Sequence, residues 1–168
     1  MKTKDLGIVV FAFIAAGKTT FYNKYKNELS IIDLCSEEYK FVLTPEQKNM
    51  NKESRKGMQK QTNPDWPQNY YEAISQARKK YKYIFVAYEG LVFCQQNNIP
   101  YWRVFPGFEC KEEYLARMRK RGNNEEFVKR IAESFDMFVQ GCYEDENCAK
   151  KIVLRKNEYL ESVKDNFE

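Results

Sequence analysis

Histidine is absent from this chain of 168 residues. That absence excludes imidazole acid–base catalysis, histidine-dependent triads and histidine metal sites. No apolar run approaches the length of a membrane span, and the run over 8–16 is short and lacks a cleavage pattern. The five cysteines, Cys35, Cys94, Cys110, Cys142 and Cys148, are odd in number and show no zinc spacing. They are expected to be reduced thiols of a cytoplasmic protein rather than a disulfide framework. Internal repeats and low-complexity blocks are missing as well. Neither sign of charge dominates, since 28 Lys and Arg stand against 24 Asp and Glu for a formal charge of +4. That balance suits an anionic small molecule and neither demands nor excludes nucleic acid.

What is present argues for one folded domain over 1–168. A hydrophobic share of 43% and an aromatic share of 15% exclude disorder despite 31% charged residues. The stretch over 8–21, IVVFAFIAAGKTTF, contains Ala12-x-x-x-x-Gly17-Lys18-Thr19, a phosphate-binding loop with alanine in the place where glycine is commoner. Ile8-Val9-Val10-Phe11 leads in as a buried strand and Thr19-Thr20-Phe21-Tyr22 leads out into a helix, which is the context such a loop requires. Backbone N–H groups around Ala12, Ala15, Ala16 and Gly17 could cradle a β-phosphate at a helix N-terminus. In that role Lys18 bridges β- and γ-phosphates, Thr19 supplies a hydroxyl to Mg²⁺ and Thr20 reaches the α-phosphate. The Cβ of Ala12 is the expected weak point, because it restricts backbone angles and close approach.

Further along, Phe21, Tyr25 and Leu29 form a helical stripe, and residues 30–34 read as a short strand ending in Asp33. Asp33 thus falls at the C-terminal edge of the sheet, where open α/β sheets bind ligands. Residues 39–67 form a polar insertion with Lys48, Lys52, Arg55, Lys56 and Lys60, expected to be solvated and mobile, or else to cover a substrate. Pro67 opens a helix that carries Tyr70, Ile74 and Tyr81 inward. Residues 83–88 make the clearest central strand and end at Glu89, a weaker second carboxylate candidate. A short helix over 91–96 and a strand over 101–105 follow. Arg103 inside that strand suggests an edge position or a surface-reaching stem. A helix over 111–121 stops at Gly122, and Asn124 caps another in which Phe127, Ile131, Phe135 and Phe138 form a core stripe. A strand over 151–154 and a helix over 159–163 finish the chain. The alternation implies an α/β fold with a mainly parallel sheet and helices on both faces.

Lys18 with Thr19, Asp33, and the arginines near Gly122 converge on one sheet edge. Arg117 and Arg121 share a helix face and would come from a lid over 117–124, while Arg119 points elsewhere. Asp33 admits two roles: orienting and deprotonating a hydroxyl acceptor, or, beside a phosphate acceptor, holding Mg²⁺ through water or contacting the substrate.

The chain resembles the small P-loop nucleotide (nucleoside monophosphate) kinase-like proteins of tailed phages and their Gram-positive hosts. The likeness spans nearly the whole chain through Ile31-Ile32-Asp33-Leu34-Cys35-Ser36, Asn63-Pro64-Asp65-Trp66-Pro67-Gln68-Asn69-Tyr70 and Glu113-Tyr114-Leu115-Ala116-Arg117-Met118-Arg119-Lys120-Arg121-Gly122-Asn123. It implies a three-layer P-loop kinase fold with a five-stranded sheet, binding of ATP, and a nucleotide as substrate. The leading expectation is an ATP- and Mg²⁺-dependent phosphotransferase acting on a nucleoside monophosphate. One alternative is a kinase of a hydroxyl, on a nucleoside or at the 5′ end of a nucleic acid. Related kinases often carry a second acidic residue where this chain has Cys35. That departure, with Ala12, motivates another alternative, a nucleotide-binding interaction protein of a phage without turnover.

Overall fold

The computed structural model describes residues 5–52 and 54–168. Strand β1 (Ile8–Ala12) lies at the centre of the main sheet and is followed by helix α1 (Lys18–Tyr25) and strand β2 (Ile31–Asp33). The insertion contributes α2 (Glu37–Lys40), β3 (Phe41–Val42), α3 (Pro45–Asn49) and β4 (Gln61–Thr62). Then come α4 (Gln68–Arg78), β5 (Tyr83–Val86), α5 (Tyr88–Gln96), β6 (Tyr101–Pro106), α6 (Lys111–Lys120), α7 (Glu125–Glu144) and β7 (Lys150–Leu154). A final 3₁₀ segment, Leu160–Phe167, closes the chain.

Five strands form a parallel sheet in the order β2-β5-β1-β6-β7. Because β1 is flanked by strands reached in opposite directions along the sheet, a crevice opens at its carboxyl end. Alternation along β1 divides the core. Val10 and Ala12 face Phe21, Phe85, Leu160 and Phe167 on the side of α1 and the C-terminal segment. Val9 and Phe11 face Tyr70, Ile74, Ile84 and Leu91 on the side of α4 and α5. A third cluster joins Phe13 and Phe105 to α6 and α7. The chain is therefore an α/β protein with a five-stranded parallel sheet flanked by helices.

Several boundaries differ from the sequence expectation. Strand β5 ends at Val86, and Tyr88 and Glu89 open α5. Leu29 and Tyr81 lie beyond the ends of α1 and α4. Strand β6 lies between β1 and β7, so Arg103 is on an interior strand, contrary to the edge reading. Its stem does not reach the surface either: the buried guanidinium Nε donates to Asp145 Oδ2 at 2.6 Å, and an ion pair replaces the water that an exposed arginine would use.

The polar insertion is folded rather than merely solvated. Thr44 and Gln47 form a reciprocal capping box at α3, and Arg55 Nη1 donates to the Gln47 carbonyl at 3.1 Å. Lys60 meets Glu37 at 2.6 Å. These contacts are polar, the capping box being local and the Lys60–Glu37 pair spanning the insertion, and apolar periodicity gives no sign of polar contacts.

Helix α7 packs its expected stripe on the third cluster, with Phe135 buried and Phe127, Ile131 and Phe138 partly buried against it. Val128, Val139 and Cys142 widen that buried face. Ile131 and Phe138 also border the crevice.

Candidate functional site

The loop between β1 and α1 departs from strand geometry at Phe13, whose N–H is held by the Val104 carbonyl at 2.9 Å. Ala16 N–H closes back onto the Phe13 carbonyl at 3.1 Å. Two residues in this tight loop have positive φ: Ala15 at 63° and Gly17 at 91°. Ala12 is an ordinary, buried strand residue, so the conformational burden expected there falls instead on Ala15. Glycine is required at 17 on two counts, because the left-handed backbone disfavours a side chain and an added Cβ would lie 3.2 Å from Tyr159 Cδ1.

Lys18 opens α1 and folds its ammonium back into the loop, donating to the Ala12 carbonyl at 2.8 Å. Burial lowers its pKa to about 8, with Lys52 and Arg121 pushing in the same direction and Asp33 opposing them. Next to it, Thr19 Oγ1 donates to Asp33 Oδ2 at 3.2 Å. Asp33 is held at the end of β2 by the β2–β5 ladder, and Leu34 N–H continues that register onto the Phe85 carbonyl at 3.0 Å. Tyr70 fixes the same edge from α4: its hydroxyl donates to the Leu34 carbonyl at 2.9 Å and accepts the Ala87 N–H at 3.1 Å. Sequence reasoning assigned Tyr70 only to the core. A tyrosine aligned with two strand ends carries no local signal of that second contact.

On the opposite side, the loop is clamped by α6 and the segment after β7. Arg117 donates from Nη1 to the Ala15 carbonyl at 3.2 Å and from Nη2 to the Glu158 carbonyl at 2.9 Å. Its guanidinium lies 3.6 Å from the Tyr159 ring centroid and 4.5 Å from that of Tyr114. Glu113 completes the clamp, pairing with Arg117 at 2.5 Å and accepting the Asn157 N–H at 3.0 Å. Leu160 N–H then reaches the Ala16 carbonyl at 3.0 Å. Arg117 is thus a tethered, largely buried residue in this structure, and Glu113 and Tyr159 are partners that sequence reasoning did not single out. Arg119 instead meets Glu125 on the exposed side at 2.9 Å.

A cavity of about 1100 Å³ joins these parts. Its lining includes Ala12, Ala15, Gly17, Lys18, Thr19, Thr20 and Asp33, together with Arg117 and Arg121. Ala16 is buried beneath the loop and is not part of that lining. The structure therefore gathers most of the expected site residues around one space. Lys52 and Lys56 of the insertion also face it, and Lys56 Nζ reaches the Arg121 carbonyl at 2.5 Å, linking the insertion to the α6–α7 turn. That turn is shaped by Gly122 at φ 86° and by Asn124, whose side chain accepts Phe127 N–H at 2.8 Å. Glu89 does not line the cavity and receives the Tyr71 hydroxyl instead.

Chemically, the arrangement can hold an anion against Lys18, the loop and the start of α1, with further positive charge from Lys52 and Arg121. Thr19 and Asp33 present two hard oxygen donors side by side, a set that fits a partly hydrated Mg²⁺. Among the described residues there is no group of three or more His, Cys, Asp or Glu that could hold a metal without help from water or substrate. No helix among them is long and apolar enough to cross a membrane.

No family model matches the chain, and no curated protein matches it. Among solved structures, it is similar to an uncharacterized protein from Eubacterium ventriosum ATCC 27560. The two share 15% identity over 97% of this chain and 96% of that one, with a TM-score of 0.47.

Proposed function

We propose that the protein is an ATP- and Mg²⁺-dependent phosphotransferase with a P-loop kinase fold, acting on a nucleoside monophosphate. The observation that carries this reading is the pairing of Lys18, folded into the 12–17 loop, with the Thr19–Asp33 contact of 3.2 Å at its mouth. A triphosphate entering the loop replaces the Ala12 carbonyl as the partner of Lys18. Loop N–H groups and the ammonium then hold the transferred group, and Arg121 and Lys52 neutralise charge as it moves. Thr19 and Asp33 would hold Mg²⁺, which supplies charge neutralisation on the phosphate oxygens.

A phosphate acceptor is favoured over a hydroxyl acceptor by two features. Asp33 already accepts a hydrogen bond from Thr19, which suits metal holding better than proton abstraction. The cavity also carries more cations than the donor phosphates need, with Lys52, Lys120 and Arg121 beyond Lys18. The insertion's lysines do not make a continuous stripe for nucleic acid, since Lys60 is spent on Glu37 and Lys56 reaches the Arg121 carbonyl.

The decisive experiment incubates purified protein with Mg²⁺-ATP and a panel of nucleoside mono- and diphosphates, nucleosides and 5′-hydroxyl oligonucleotides, with products read by mass. Formation of nucleoside diphosphate and ADP, abolished by Lys18→Ala, is the expected result. Binding of ATP without product from any acceptor would move the protein to the non-catalytic, interaction class. Absence of ATP binding overturns the reading entirely.

A further inference from the structure

The cavity has two ends of opposite character. Around Lys18 it is charged, but beyond Phe13 it is walled by Phe11, Tyr88, Ile131, Phe135 and Phe138. Helix α7 explains how. Its core face, Val128, Phe135, Val139 and Cys142, is already satisfied by the third cluster. Ile131, Ser134, Phe135 and Phe138 recur at helical spacing as a second face that borders the cavity and stays half-buried apart from Phe135. Ile131 and Phe138 pack on the core with one side and border the cavity with the other, so a ligand would meet the surface they leave uncovered.

The rings in this end meet at angles rather than in parallel. Phe138 lies 5.2 Å from Phe13, 5.8 Å from Phe11 and 6.4 Å from Tyr88, with interplanar angles between 55° and 58°. Tyr88 remains 59% exposed although it borders this space. Such a corner offers one ring face and one ring edge to a planar aromatic group. Groups able to read the hydrogen-bonding edge of a base are scarce there. Of the α5 and α7 residues that line the cavity, Ser134 and Tyr88 are the polar ones, and the Ser134 hydroxyl already donates to the Arg130 carbonyl at 3.0 Å.

Resting on the phosphotransferase reading, we infer that this aromatic end is the acceptor's base pocket, and that it recognises the base by stacking and shape, with little discrimination among bases. Strong discrimination comes from buried polar groups left unpaired by the wrong substrate, while shape in an apolar pocket separates substrates only modestly. The acceptor phosphate points toward Lys52 and Arg121, which orients the base into the corner of Phe138 and Tyr88.

The test is calorimetric titration of the protein, preloaded with Mg²⁺ and a non-hydrolysable ATP analogue, with AMP, CMP, GMP and UMP. Dissociation constants within about tenfold of one another are expected, and Tyr88→Ala should weaken all four by a similar factor of about ten. Because Tyr88 is exposed, that variant retains its fold. Phe138→Leu, which keeps bulk without a ring, should act in the same direction, and both variants should bind the ATP analogue as the parent does. A preference above about a hundredfold for one base overturns the inference, as does unchanged binding in both variants. If the analogue binds and no monophosphate does, the pocket assignment fails while the donor site stands. If the analogue itself does not bind, the phosphotransferase reading has failed instead.

Discussion

The guanidinium of Arg117 lies flat against Tyr159, 3.6 Å from the ring centroid, and Tyr159 in turn rests on Gly17. This stack joins α6, the C-terminal segment and the 12–17 loop into one unit. The same guanidinium holds the carbonyls of Ala15 and Glu158, so its charge, its planarity and its fork are all in use. The segment expected to close over a ligand therefore begins with a residue that already braces the loop.

Arg117→Lys should consequently fail to substitute for arginine. A lysine can satisfy one carbonyl but cannot stack and fork together. Loss of a charged hydrogen bond and the ring contact should cost about 2 kcal/mol of stability. Denaturant titration would reveal that cost, and hydrogen exchange should rise in both 13–17 and 157–160. Protection lost in neither segment would show that the stack does not brace the loop.

The two alanines of the loop should respond to glycine with opposite sign. Ala15 sits at φ 63°, where a Cβ is strained by about 1 kcal/mol, so Ala15→Gly should leave stability unchanged or raise it by up to about 1 kcal/mol. Ala12 is a buried strand residue, and Ala12→Gly should lower stability by about 1 kcal/mol through lost packing and added unfolded-state freedom. Urea midpoints of the two variants measure this directly. Equal destabilisation by both would mean that position 15 bears no strain.

Lys18 should give the protein a pH signature. Its folded-state pKa of about 8 lies below that of an unfolded lysine, so between about pH 8 and 10 the unfolded chain binds more protons. Its contribution to unfolding free energy therefore rises with pH across that window and is least favourable below about 8. Anion binding has the reverse preference, because it needs the ammonium. ATP-analogue affinity should fall as pH rises through about 8, and calorimetry at that pH in buffers of different ionisation enthalpy should show proton uptake on binding. Lys18→Met should remove the uptake and raise stability at neutral pH; uptake that persists in the variant would assign the proton elsewhere.

Parts of this architecture were legible because their signals are local. The apolar run into Ala12, the carboxylate ending β2, Gly122 beyond α6 and Asn124 before α7 are each written within a few residues. Other parts depend on partners far along the chain. The carbonyls that Arg117 holds come from Ala15 and Glu158, and the folded insertion depends on Glu37 meeting Lys60. Helix α7 was legible as amphipathic, yet its pattern does not tell that Ile131 and Phe138, while packing on the core, also border the cavity. Strain at Ala15 rather than Ala12 was hidden because the motif fixes spacing but not which residue takes the left-handed turn.

Arg103 and Asp145 supply a last prediction because they separate burial from function. The pair is nine-tenths buried on both sides and lines no part of the cavity. Burial alone would raise the Asp145 pKa, but the Tyr101 hydroxyl at 2.8 Å and the Arg103 guanidinium outweigh it and hold the carboxyl below its usual range. Stability from this carboxylate is thus present above the ordinary aspartate pKa and is lost as pH falls through the lower folded value. Removing one partner leaves the other charged and dry, so Asp145→Ala should cost about 3 to 5 kcal/mol. The paired replacement Arg103→Met with Asp145→Leu should cost much less, since apolar side chains of similar bulk need no partner. Chemical denaturation of single and double variants decides between them, and ATP-analogue affinity should be unchanged in whichever variants fold. A double variant as unstable as Asp145→Ala would mean that the bond from Tyr101 to Asp145, and not the ion pair, anchors the end of α7 to β6.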